Sequence, residues 1–88
     1  MPVISMFYGL IVSMYYLDNK QHHVPHIHVK YGDDEAVYQI PDGKLLAGSP
    51  SNKTKILLAW IEIHKEDLMA NWSLASQGMK ILNIEPLK

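Results

Sequence analysis

The sequence predicts an α+β domain, in which a small antiparallel β-sheet of four to five strands packs against one long C-terminal α-helix. In its first half, short segments rich in β-branched and aromatic residues alternate with turn residues. From about Lys53 onward, apolar residues instead recur at spacings of three and four, which is the helical period. The length of 88 residues fits one domain, and a hydrophobic fraction of 48% excludes a disordered chain. Residues 1–88 are therefore predicted to form a single domain.

The predicted strands are short and are joined by tight turns. Gly9 marks the first turn, and the second and third are Gly32-Asp33-Asp34 and Pro41-Asp42-Gly43, where Gly43 is free to take a positive φ. A polar, histidine-rich loop from Asp18 to Val24 separates the second and third strands. Because short connections join neighbouring strands, the sheet is expected to be antiparallel. The segments with strand character are Val3–Phe7, Leu10–Tyr16, His26–Tyr31, Glu35–Ile40 and Lys44–Ala47.

The predicted helix runs from about Lys53 to Ser76. Ser51 or Asn52 is expected to cap its start, and Gly78 to stop it. One apolar stripe must be buried, and the sheet is its available partner. The tail, residues 81–88, is expected to run back along the sheet in an extended conformation. The stripe consists of Leu57, Ile61, His64, Leu68, Trp72 and Ala75.

Composition and charge exclude several classes of function. The chain has no cysteine, so thiol chemistry and disulfides are excluded. It also has no arginine and a net charge of −1, which makes RNA a weakly supported partner. The apolar segment Val3–Leu17 is shorter than the roughly 18–20 residues of a membrane span and lacks the basic start of a signal peptide. We therefore expect a cytoplasmic protein without a membrane partner.

Four of the five histidines lie between residues 22 and 28. Side chains alternate along a strand, so His26, His28 and Lys30 are expected to share one side of the third strand. Ile27, Val29 and Tyr31 are then expected to face the helix.

The histidine cluster is open to three interpretations. His26 and His28 could bind a divalent metal such as Zn²⁺, with His22 or His23 as a third ligand from the preceding loop. Alternatively, His26, His28 and Lys30 could supply the acid, base and cation of a metal-independent ribonuclease. Tyr38 or Glu35 would assist on the neighbouring strand. In the third interpretation, the imidazoles simply form a polar strand face with local hydrogen bonds.

Three other features favour structural roles. His64 lies on the apolar stripe and is expected to pack at the edge of the core with its ring nitrogens hydrogen-bonded. Trp60 and Trp72 are expected to anchor the core rather than to bind partners. The acidic residues 33–35 lack the alternating oxygen ligands of a calcium loop and are expected at a solvated hairpin tip.

Several motifs are distributed along nearly the whole chain. They are Met1-Pro2 with Ile4, Phe7-Tyr8-Gly9-Leu10-Ile11-Val12, Met14-Tyr15-Tyr16, Pro25-His26-Ile27-His28-Val29, Tyr31-Gly32, Trp60-Ile61-Glu62-Ile63-His64-Lys65-Glu66-Asp67-Leu68, Asn71-Trp72 and Ile84-Glu85-Pro86-Leu87. Together they resemble a small bacterial family known as domain of unknown function 4160. The resemblance implies a stand-alone α+β protein of the bacterial cytoplasm. Genes of the family often lie beside those of domain of unknown function 2442, which has prompted toxin–antitoxin proposals.

The resemblance also identifies His22 with the upstream loop histidine of the family. Val24 departs from the usual Pro-Pro before the first strand histidine, and Ser13, Lys53 and Lys55 stand where relatives carry arginine. These departures weaken a phosphate-binding role more than they weaken the histidine cluster.

We expect a partner-binding component of a two-gene, toxin–antitoxin-type module. The expected partner is a second copy of the chain or a small protein encoded by the neighbouring gene. Two alternatives remain open. One is a small enzyme, a metal-assisted hydrolase or a ribonuclease, that uses His22, His26 and His28. The other is a purely structural homo-oligomer joined through unpaired sheet edges.

Overall fold

The structure, a computed structural model, describes residues 2–16 and 24–87. It confirms the predicted α+β class and the antiparallel sheet. Five strands follow one another in the order in which they occur in the sequence, and each pairs antiparallel with the next. The strands are β1 (Val3–Phe7), β2 (Leu10–Ser13), β3 (His26–Tyr31), β4 (Asp34–Gln39) and β5 (Leu45–Gly48).

The turn between β1 and β2 shows how the sequence closes a hairpin. Phe7 pairs with Leu10, so Tyr8 and Gly9 alone form the connection. Both take positive φ angles, 51° and 83°. A two-residue hairpin whose turn residues both have positive φ matches the right-handed twist of the strands, and glycine adopts that conformation without strain.

The prediction of one long C-terminal helix was wrong. The chain forms α1 (Thr54–Ile63) and α2 (Lys65–Ser76), separated by His64, whose φ of −110° and ψ of 20° lie outside the helical region. Apolar residues keep their spacing through the break, so periodicity could not reveal it. His64 is hydrogen-bonded to both helices, because its N–H donates to Trp60 O of α1 and its carbonyl accepts from Leu68 N–H of α2. In the described part of the chain, no helix is both long and apolar enough to cross a bilayer.

The predicted helix ends are close to the observed ones. The predicted cap was wrong, because the N-cap of α1 is Lys53 and no side chain caps the helix. The Ser51 hydroxyl instead accepts a hydrogen bond from Lys53 N–H at 3.0 Å, just before the helix. Gly78 stops α2 as expected, with a φ of 72°. The N–H groups of Gly78 and Met79 bond to the carbonyls of Ala75 and Leu74, which is the Schellman arrangement that satisfies the last carbonyls of a helix.

The core lies between one face of the sheet and the helices. The predicted orientation of β3 is confirmed for its apolar residues, since Ile27 and Val29 are buried. The rings of Phe7 and Trp60 lie 5.0 Å apart where β1 meets α1. The buried apolar residues are Ile4, Phe7, Leu10, Val12, Met14, Ile27, Val29, Ala36, Tyr38, Ile40, Leu57, Trp60, Ile61, Leu68 and Ile84.

The C-terminal tail runs back to the sheet, as the sequence predicted. Ile84 N–H donates to Ile4 O of β1 at 2.8 Å. The buried Asn71 side chain bonds to both the N–H and the carbonyl of Leu82, at 3.0 and 2.7 Å. The tail therefore joins the outer side of β1 to α2.

Candidate functional site

The candidate site lies on the sheet face opposite the core, which we call the uncovered face. The register places Val3, Ser13, His28, Val37 and Ala47 in one row across the five strands. Met6, Ile11, Lys30 and Glu35 form the next row. Both rows point away from the core because side chains alternate along each strand. The buried apolar residues of α1 and α2 belong to the core on the other face of the sheet.

The centre of the uncovered face contains a hollow of about 140 Å³. His28 lies at this hollow, and its ring stacks on that of Tyr15 with centroids 4.3 Å apart and planes inclined by 14°. Polar groups of several kinds therefore meet around a small volume. The lining residues are Val3, Ile11, Ser13, Tyr15, His28, Val29, Lys30 and Glu35.

Lys30 and Glu35 bring opposite charges to this hollow. They are register partners on β3 and β4, and both side chains are exposed. Among the described residues, neither takes part in an ion pair, since the pairs found there join His64 to Asp67 and Lys65 to Glu62. The hollow thus offers a cation, a carboxylate and an imidazole to a small bound group.

Alternation along β3 predicts an exposed side chain at His26, but the structure does not have one there. Its side chain is fully buried at the first position of β3. The ring of Trp72, on α2, lies 5.1 Å from it and shields it from water. The expectation that His26 lies with His28 and Lys30 on the side away from the helical region was therefore wrong for its ring, because Trp72 covers the end of the strand.

The orientation of the His26 ring is fixed by its backbone contact. Nδ1 lies 2.7 Å from the Val24 carbonyl oxygen. Because a carbonyl only accepts hydrogen bonds, Nδ1 must carry the proton and donate, which makes Nε2 the acceptor of the neutral ring. This arrangement is common in histidines that bind metal or accept protons through Nε2.

Five aromatic rings form a continuous row from the hollow to α2. Successive ring centroids along the row lie between 4.3 and 5.3 Å apart. Sequence reasoning found the two histidines of this row but missed its other members. Tyr15 could have been placed beside His28 by alternation. Ser13 pairs with His28, and Tyr15, two residues later, falls on the same side of the sheet as Ser13. In order, the rings are Tyr15, His28, His26, Trp72 and Tyr16.

The proposed metal ligands are only partly described. His26 and His28 are neighbours with ring centroids 5.3 Å apart. His22, the third predicted ligand, and its alternative His23 lie outside the described residues. Within the described ranges, no group of three histidine, aspartate or glutamate side chains is arranged to hold a metal ion.

The proposed catalytic residues are divided between two places. His28 and Lys30 line the hollow, and so does Glu35, whereas His26 does not. Tyr38 lies on the opposite face of the sheet, buried in the core, with its hydroxyl 3.5 Å from Thr54 Oγ1. Tyr38 therefore cannot assist chemistry at His28.

The remaining sequence-predicted residues are largely structural. His64 is half-buried at the helix break, beside the Trp60 ring and 3.8 Å from an Asp67 carboxylate oxygen. Trp60 is fully buried, and its indole N–H donates to the Glu85 carbonyl at 2.8 Å. Trp72 is only half-buried and packs against the core, as predicted. Its ring also contacts the rings of His26 and Tyr16.

Comparison with protein-family models matched residues 9–73 to the family described as Domain of unknown function (DUF4160). The matched region contains β2, β3, β4, β5, α1 and most of α2, and it includes every residue that lines the hollow except Val3. Comparisons with curated proteins and with solved structures found no match.

Proposed function

The chain belongs to the DUF4160 family, whose description assigns no activity, and we propose from its geometry that it binds a partner protein through the uncovered face. We place it in the bacterial cytoplasm as one component of a two-gene, toxin–antitoxin-type module. The proposed partner is the small protein encoded by the neighbouring gene. The proposal depends on one observation: the sheet is covered by helices on one face, while the other presents apolar and aromatic side chains to solvent.

Apolar exposure on the uncovered face supports this proposal. Val3, Met6 and Ile11 are 43%, 63% and 37% exposed on two adjacent strands. Exposed apolar side chains that are grouped on one face, rather than scattered singly, are typical of interaction surfaces. The stacked rings of Tyr15 and His28 lie beside them, and aromatic side chains at the centre of an interface often contribute most of the binding energy.

The size of the face favours a different protein over a second copy. Five strands spaced by about 4.8 Å and roughly 17 Å long present a flat area of roughly 400 Å². Two copies joined face to face would bury roughly 800 Å² in total, which is less than the roughly 1,200–2,000 Å² of stable interfaces. A partner of another shape can extend beyond the face and bury more.

The outer edge of the sheet also argues against assembly by strand addition. Between its pairs with Tyr38 and Val37, β5 contains one extra residue, Leu46, so the edge strand is irregular. An irregular edge of four residues is a poor template for another strand. A structural homo-oligomer joined through β5 is therefore the weaker alternative.

Co-expression with the neighbouring gene product tests the proposal. We expect a complex on size-exclusion chromatography with light scattering, and Met6→Asp should weaken it at least about tenfold, because a charge would be buried in an apolar contact. Ile63→Asp is the matched control, since Ile63 is also 63% exposed but lies on α1.

Two results would count against this surface. The first is the absence of a complex, together with a monomeric chain in sedimentation equilibrium. The second is equal weakening of the complex by the two variants. A concentration-dependent dimer of the chain alone that Met6→Asp disrupts would instead identify a second copy as the occupant.

An enzyme is the second candidate, and the hollow is the observation that favours it. His28 could transfer a proton there, Lys30 could stabilise an anionic transition state, and Glu35 could act as the second acid or base. Incubation of the purified protein with RNA tests this role. Cleavage that is lost in His28→Gln and in Lys30→Gln but retained in His64→Gln would support it, whereas equal residual cleavage in all three variants would indicate a contaminant.

A further inference from the structure

A second concave site opens beside the uncovered face. The cleft has a volume of about 580 Å³ and lies between the start of β1, the residues that follow β2, the end of α2 and the C-terminal tail. Small-molecule sites usually occupy roughly 300–1,000 Å³, so the cleft is large enough for a ligand with a chain of several carbons. None of the residues replaced in the experiments above lines this cleft.

The cleft is mainly apolar. Met14 is fully buried at its inner side, and the half-buried Ile81 of the tail lies beside it. Val3, Tyr16 and Met79 at its outer side are 43%, 44% and 55% exposed. Covering these side chains would remove apolar surface from water, at roughly 25 cal/mol for each Å² buried.

The polar groups of the cleft determine the charge that a ligand should carry. Among the described residues that line it, Lys80 alone is charged, and Asn83 supplies an amide. Lys80 is exposed and forms no ion pair with another described residue. An ammonium group beside an apolar cleft in which none of the described lining residues carries a carboxylate is complementary to an amphiphile with an anionic head.

We propose that this cleft binds a medium-chain carboxylate. The alkyl chain lies against Met14, Ile81 and Met79, and the carboxylate pairs with the Lys80 ammonium and accepts a hydrogen bond from the Asn83 amide. The bound group is a free fatty acid in its ionised form rather than a lipid surface, because the apolar residues line a cleft instead of projecting from the fold.

Titration of the isotope-labelled protein with decanoate, below the concentration at which it forms micelles, tests the proposal by two-dimensional NMR. We expect saturable shifts at the amides of the cleft, with a dissociation constant below about 1 mM. Decylammonium carries the same chain with the opposite charge and should bind at least about threefold more weakly. The absence of saturation, or equal binding of decylammonium, would overturn the proposal.

Two pairs of variants locate the site. Lys80→Gln should weaken decanoate binding at least about threefold, whereas Lys55→Gln, on α1, should not change it. Met79→Gln should weaken binding, whereas Met6→Gln, which replaces a methionine of similar exposure outside the cleft, should not. Because all four side chains are exposed, folding should be unaffected. Equal effects within either pair would overturn the assignment.

Discussion

His26 shows that the surroundings of a strand residue depend on more than its alternation. Alternation places it on the side opposite Ile27, yet its ring is fully buried because Trp72 packs against it at the end of the strand. His28, two residues later on the same side, lines the hollow instead. The two imidazoles therefore have different roles: His26 helps to hold the end of the sheet against α2, and His28 lines the hollow and stacks on Tyr15.

Replacement of His26 should reveal its structural role. His26→Ala should lower the free energy of unfolding by about 2–4 kcal/mol, because it opens a cavity beside Trp72 and removes the bond to Val24 O. Lys30→Ala, at an exposed position on the same strand, should change it by less than about 0.5 kcal/mol. Urea unfolding measures both variants, and equal stabilities would contradict the burial of His26.

Metal binding is the prediction that follows from the histidine pair. If His26, His28 and His22 bind Zn²⁺, Ni²⁺ or Co²⁺, the ligands must be neutral imidazoles. Binding should then be tighter at about pH 7.5 than at about pH 5.5, where ordinary imidazoles are protonated. His28→Ala should abolish binding without unfolding the chain. Isothermal titration calorimetry tests this, and a dissociation constant weaker than about 1 mM for all three metals would exclude the metal site.

At the scale of elements, two glycines with positive φ constrain how the strands are connected and packed. Gly48, the last residue of β5, has a φ of 84°, and a Cβ atom there would collide with the Glu35 carbonyl oxygen of β4. Gly32, in the turn between β3 and β4, also has a positive φ of 60°, but no atom lies within 4 Å of the Cβ position. Backbone conformation alone requires glycine at Gly32, whereas close packing of two strands also requires it at Gly48.

These two glycines form a matched pair for mutation. Gly32→Ala should cost about 1–2 kcal/mol of stability, which is the cost of a left-handed conformation for a residue with a Cβ atom. Gly48→Ala should cost clearly more, about 3 kcal/mol or above, because β5 must also move away from β4. Thermal unfolding followed by circular dichroism gives the comparison. Equal costs would mean that β5 shifts without losing its pairing.

At the scale of the whole molecule, the C-terminal tail holds separate parts together. It bonds to β1 through Ile84, to α2 through Leu82 and to α1 through Glu85. Ile84 is also buried in the core, 6% exposed, while Leu82 is 63% exposed. The tail thus contributes one buried side chain and several hydrogen bonds to a small core, and it forms one wall of the cleft at Ile81 and Asn83.

The tail should therefore contribute to stability through Ile84. Ile84→Ala should lower the free energy of unfolding by about 2–4 kcal/mol, whereas Leu82→Ala should have an effect below about 0.5 kcal/mol. Hydrogen exchange should also show faster exchange at the Trp60 indole N–H in Ile84→Ala than in the unaltered chain. Similar stabilities of the two variants would indicate that the tail does not pack on the core.

The sequence by itself determined the strands, the turns between them, their antiparallel pairing and the face that β3 buries. These are local properties: the alternation of Ile27 and Val29 with polar neighbours and the glycines at the turns follow from backbone geometry alone. The same reasoning located Gly78 at the end of the helical region and placed His28 and Lys30 on one side of β3.

Only the tertiary structure decided the helix break, the burial of His26 and the composition of the hollow. The break at His64 leaves the apolar spacing unchanged, so no periodic pattern could report it. His26 is buried by Trp72, which is 46 positions away in the sequence. Glu35 and Tyr15 line the same hollow as His28 because of the register between strands β2, β3 and β4. The burial of His26 and the composition of the hollow depend on contacts between residues that are distant in sequence, and such contacts are set by the packing of whole elements rather than by local preference.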